Sequence, residues 1–123
     1  MITLATLPTA TAQQVFDQGA RHLLTQMAKS ATDNICLYRT KSLSLSCAAG
    51  CFIADEEYKS EMENETWGLL LTKGFVPSGH QYLIRSLQTI HDCYPVSEWR
   101  LNLKVVADSH GLDDSILYSK EVL

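Results

Sequence analysis

The chain has 123 residues, with 14 acidic against 10 basic side chains for a formal net charge of −4, and 46% of it is apolar. A chain of this size buries roughly two thirds of its unfolded surface, enough for one hydrophobic core without disulfides or a metal. The balance excludes a generally basic nucleic-acid binder and a disordered acidic chain, and no stretch approaches the ~20 apolar residues of a membrane span. The charge is also unevenly placed. Between Asp55 and Glu65 stand six acids (Asp55, Glu56, Glu57, Glu61, Glu63 and Glu65) and one base, Lys59, a local −5, whereas the rest of the chain is close to neutral.

In chain order, residues 1–9 lack the basic region of a secretory signal and read as a short, frayed lead-in. A cytoplasmic protein with four reduced cysteines (Cys36, Cys47, Cys51, Cys93) is therefore expected. Thr9 or Thr11 caps a first helix whose stripe is Phe16, Ala20, Leu23, Leu24, Met27 and Ala28, with Arg21, His22 and Lys29 largely off it. Asp33-Asn34 is a turn signal. Residues 35–40 and 43–46 read as two strands joined at Lys41-Ser42, with Leu43 to Ser46 in strict alternation. Ser46 then caps a short buried helix from Cys47 to Ile53, and the acidic segment rests on the core through Tyr58 and Met62. Thr66 to Leu71 forms another short helix. Ser78 opens a helix carrying Leu83, Ile84, Leu87, Ile90 and His91, which Pro95 stops. Ser97 caps the last clear helix, with Trp99, Leu103, Val106 and Ala107 as its stripe and Gly111 at its end. Residues 112–123 form a tail with an extra turn at Ile116 to Tyr118. The expected fold is one α+β domain over 1–123, four to five helices around a short hairpin; an all-α fold is the alternative if residues 35–46 are irregular.

The order Cys36-Leu-Tyr-Arg39, Cys47-Ala-Ala-Gly-Cys-Phe-Ile53, an acidic stretch with Tyr58 and Met62-Glu63, then Leu87-Gln-Thr-Ile-His-Asp92 and Trp99, resembles a family of small uncharacterised proteins of bacteria, bacteriophages and prophages. The match runs roughly from Gln14 to Leu112. It implies a compact fold and a mobile-element setting, and no catalytic or binding residue. Many relatives have proline after the apolar Ile; this chain has Ala54, which leaves that exit less sharply defined.

Four chemistries are readable in the residues. Cys47 at a helix N-terminus is a candidate thiolate nucleophile with His91 as base, although Asp92, turned about 100° from His91 on a helix, is poorly placed to orient it. Cys47 and Cys51, four apart, with Cys36 and His91 or Cys93, are candidate zinc ligands, against a reduced cluster buried as core. Arg39, Lys41, Arg85 and Arg100 with Tyr38 or Tyr82 can form an anion pocket if they converge. The acidic segment is the strongest surface feature, suited to a basic partner. Gly50 costs a helix about 1 kcal/mol relative to alanine, so close approach of another segment, or of a ligand, is expected there.

These observations favour a non-enzymatic phage or mobile-element binding protein that modulates a host protein, such as a defence component, through Asp55 to Glu65. No cofactor, nucleic acid or membrane is expected as a partner. A Cys47/His91 thiol-dependent hydrolase or transferase and a nucleotide-sequestering protein are the alternatives. On this reading, reversing Glu61, Glu63 and Glu65 to lysine abolishes partner binding and leaves the melting temperature nearly unchanged.

Overall fold

The computed structural model describes residues 1–32, 35–40 and 44–123. The architecture is α+β. Four helices, α1 (Ala12–Gln26), α2 (Trp67–Thr72), α3 (Gln81–Cys93) and α4 (Trp99–Ser109), pack with one antiparallel pair, β1 (Ala31–Thr32) and β2 (Ile35–Cys36).

α1 begins at Thr11, which forms a capping box with Gln14, and buries Val15, Phe16, Gly19, Ala20, Leu23 and Leu24. It stops sooner than its apolar pattern suggests. Met27 turns into the left-handed region (φ 47°) and stays exposed, so neither it nor Ala28 extends the helical stripe. Against α1 lies α3, whose predicted stripe of Leu83, Ile84, Leu87, Ile90 and His91 is buried in full. The two helices approach closely because Gly19 has no side chain: a Cβ there would stand 2.7 Å from Leu87 Cδ1. α3 starts at Gln81 rather than beside Ser78, with His80 in the left-handed region at its N-cap. α4 follows a 3-10 turn at Val96–Glu98, so Ser97 is not its cap, and it buries Trp99, Leu103 and Ala107. Trp99 stacks on His91 with ring centroids 5.7 Å apart, joining α4 to α3.

The hairpin differs from the expected one. Residues 35–40 do not form a six-residue strand. Ile35–Cys36 pairs backwards with Ala31–Thr32, and the second expected partner contributes one bridge, Arg39 to Ser46, flanked by Thr40 N–H donating to Leu45 O (2.8 Å). The turn read at Asp33-Asn34, the joint at Lys41-Ser42 and the strand start at Leu43 lie outside the described residues. The predicted helix from Cys47 to Ile53 is also corrected. It is a turn leading into a single 3-10 turn, Gly50–Phe52, and Ser46 caps nothing: its hydroxyl meets His22 Nε2 at 3.1 Å. The reason is steric. A Cβ on Gly50 would stand 2.1 Å from the Tyr38 carbonyl oxygen, so the segment is pressed onto the backbone of residues 37–40.

Neither end of the chain is loose. Leu7 and Leu117 are wholly buried, and Leu4 and Val122 nearly so. The lead-in, expected to fray, is bonded through Ile2 to Gln18 and through the Leu4 and Ala5 amides to Glu57. Arg100 donates to the carbonyls of Leu117 (3.0 Å) and Val122 (2.8 Å), tying the C-terminal segment down.

Candidate functional site

The proposed nucleophile and base are each committed elsewhere. Cys47 is 1% exposed, and burial pushes its thiol up to about 12, so the thiolate chemistry expected of a helix N-terminus is not available. Its Sγ accepts a hydrogen bond from Gly50 N–H at 3.2 Å. His91 is wholly buried and both ring nitrogens are taken: the Ser30 amide donates to Nε2 (2.9 Å), and Nδ1 lies 2.8 Å from Asp92 Oδ1. An amide N–H can only donate, so Nε2 holds its lone pair and Nδ1 carries the proton toward Asp92. The base position is thus occupied by the main chain. Asp92 does orient His91, contrary to the helical-wheel reading: at the exposed end of α3 its carboxylate reaches back across the 100° offset.

The same bond decides the metal question. Cys47 and Cys51 do not converge as ligands; Cys51 donates to Ala48 O (3.1 Å), and burial pushes its thiol up as well. Among the described residues the group that gathers is Cys36, His91 and Asp92, with ligand atoms within 4.8 Å of one another. Zinc on Nδ1 would require the proton to move to Nε2, where it would face the Ser30 N–H donor-to-donor. The donor set as built does not fit a metal. It fits a hydrogen-bonded network in which Asp92 collects His91 and the Gln88 amide (2.8 Å), and Gln88 in turn accepts from Ala49 N–H (2.9 Å). The Cys36 thiol beside it is pushed up by burial and then by the Asp92 charge.

The acidic segment is divided between interior and surface. Glu57 accepts from the amides of Leu4, Ala5 and Ala54 at 2.9, 3.0 and 2.9 Å. Glu63 accepts from Tyr38 N–H (2.8 Å), Arg39 N–H (3.3 Å) and the Tyr58 hydroxyl (2.6 Å). Burial, and then the Glu63 carboxylate, push the Tyr58 hydroxyl up to about 12. Glu65 pairs with Lys73 at 2.6 Å and Asp55 with Arg39 at 2.7 Å, Asp55 keeping 93% of its side chain exposed. Glu56 and Glu61 are exposed and, among the described residues, meet no cation. The expectation that Glu61, Glu63 and Glu65 can be reversed to lysine with little change in melting temperature is therefore corrected: Glu63, like Glu57, is a structural acceptor.

Among the described residues the basic side chains do not gather at one site. Arg39 lies 4.7 Å over the Tyr58 ring and bonds Asp55 and Ile53 O; Arg100 holds the C-terminal segment; Lys41 lies outside the described residues. Arg85 stands apart from both. It lines a cleft of about 380 Å³ between α3 and the residues on either side of the acidic segment, with Tyr38 and Trp67 in the wall and Cys36, Asp92 and Cys93 at one end. Trp67 is 2% exposed, and its indole N–H has no hydrogen-bond partner among the described residues. Nothing in the sequence around Trp67 marks it as lacking an acceptor.

The thiols differ enough to be tested directly. In the folded protein iodoacetamide is expected to alkylate exposed Cys93 first and half-buried Cys36 and Cys51 more slowly, with Cys47 modified only in denaturant, as read by peptide mass spectrometry. Alkylation of Cys47 as fast as Cys93 would restore the nucleophile reading.

Comparison of the chain with protein-family models, curated proteins and solved structures finds no match.

Proposed function

We propose that this protein is a non-enzymatic binding protein that meets a basic partner through the outward-facing acids Asp55, Glu56 and Glu61. The observation that carries the reading is the charge accounting of the acidic segment. Arg39 and Lys73 cancel two of its five excess charges, while Glu56 and Glu61 remain exposed and meet no cation among the described residues, and Asp55 stays almost fully solvated despite its ion pair. Uncompensated charge on one face steers association with an oppositely charged surface. The commitment of Cys47 and His91 to internal hydrogen bonds takes away the residues on which an enzyme reading rested. The resemblance to phage and prophage proteins supports a bacterial host protein as the partner, a defence component being the natural candidate, and the bacterial cytoplasm as the place of encounter.

The test is a double reversal, Glu56→Lys with Glu61→Lys, that leaves the structural acids untouched. Immobilised wild-type protein is expected to retain a basic host protein that elutes as salt is raised, and the double variant to lose it with its melting temperature within about 1 °C of wild type. Equal capture by both proteins would overturn the reading.

A further inference from the structure

The cleft beside α3 has more hydrogen-bond donors than its own acceptors use. Arg85 makes no ion pair and its guanidinium no hydrogen bond among the described residues, and the Asn64 amide makes none either. The Trp67 N–H is a third donor without a partner. The carboxylates lining the cleft are already engaged: Glu65 with Lys73 at 2.6 Å, and Asp92 with His91 and Gln88 at 2.8 Å each. Of these donors Arg85 and Asn64 are exposed and the Trp67 N–H alone is buried; a buried donor lacking an acceptor is uncommon in folded proteins, and a cleft of about 380 Å³ is within the usual size of small-molecule sites. Leu37, Tyr38 and the thiols supply apolar wall.

The geometry points to a binding site for a small organic carboxylate with an apolar body, its carboxylate at Arg85 and its body against Tyr38 and Trp67. Guanidinium recognises a carboxylate through two parallel N–H bonds. Asp92 does not oppose this strongly. It stands seven residues from Arg85 on α3, two turns or about 10 Å along the axis, comparable with the screening length at physiological salt. The cleft is lined by none of Asp55, Glu56 and Glu61, and the proposal does not depend on the partner-binding reading.

The experiment uses 3-phenylpropionate and its neutral isostere 3-phenylpropionamide as probes, titrated to about 20 mM into the ¹⁵N-labelled full chain. Two tryptophans give two indole N–H signals, and Trp99, which donates to Tyr94 O at 3.1 Å, is the internal reference. Trp67→Phe assigns the Trp67 signal, and triple-resonance assignment of wild type does so if that variant fails to fold. The acid is expected to shift the Trp67 indole signal saturably and leave that of Trp99 in place, the amide to shift neither, and Arg85→Gln, an exposed substitution, to weaken binding at least tenfold. A Trp67 signal that moves with neither probe, that moves equally with both, or that saturates at the same acid concentration in Arg85→Gln would overturn the site.

Discussion

Gly50→Ala is expected to be the most damaging small substitution in this protein, lowering stability by about 3 kcal/mol and the melting temperature by roughly 10–15 °C. The added methyl would stand 2.1 Å from the Tyr38 carbonyl oxygen, 3.0 Å from its carbon and 3.3 Å from Ser46 Cβ. Two of these three atoms are main chain, so the clash cannot be relieved by a rotamer change. Relief requires moving residues 37–40 away from the 3-10 turn, which breaks the bond from Cys47 N–H to Tyr38 O (3.2 Å) and disturbs the Glu63 clamp on the same residues. Gly68→Ala is the matched control. Its nearest neighbour would be Thr66 Oγ1 at 3.8 Å, an ordinary contact within α2, and the better helix propensity of alanine is worth up to about 1 kcal/mol. Urea denaturation of the two variants should therefore move in opposite directions. A Gly50→Ala midpoint matching wild type would show that the Tyr38 backbone yields easily.

The second large effect is expected at Glu63. Replacement by alanine removes the acceptor of two main-chain N–H groups and of the Tyr58 hydroxyl at once, with an expected cost of about 2–3 kcal/mol. Glutamine keeps an acceptor oxygen without the charge, so Glu63→Gln should fall between alanine and wild type. Glu61→Ala, two residues away and bonded among the described residues to the neighbouring Ser60 hydroxyl alone, should change stability by no more than about 0.5 kcal/mol. Equal melting temperatures for the Glu61 and Glu63 alanine variants would mean that solvent replaces the clamp and that the acidic segment is a uniform surface after all.

The contrast between these neighbours shows what could be read from sequence. α1, α3 and α4 were legible because each is long enough for a 3.6-residue period to repeat, and Phe16, Leu87 and Leu103 fall where that period puts the core. β1 was not, because two residues carry no period. The segment from Cys47 to Phe52 has the small and apolar residues of a buried helix, and the Tyr38 carbonyl, twelve residues before Gly50 in the chain, limits it to a turn. Gly50 was the one local sign of that approach. The acids were misjudged for a similar reason. Glu57 and Glu63 look like Glu56 and Glu61 until their partners are known, and those partners, Leu4 and Tyr38, lie 53 and 25 residues away. Cys47 and His91 were singled out by residue type, yet the Gly50 and Ser30 amides decide what each side chain does.

The ties at the two ends of α1 bear on how the chain is made. Gln13 exchanges two hydrogen bonds with the main chain of Asp113, each 2.9 Å, and Arg21 pairs with Glu121 at 2.7 Å, both across 100 residues. At a synthesis rate of ~5–20 residues per second, α1 is made about 5–20 s before these partners. Through that interval Phe16, Leu23 and their neighbours have only a part of their final cover, and this apolar face stays open to a chaperone until the C-terminal segment is made.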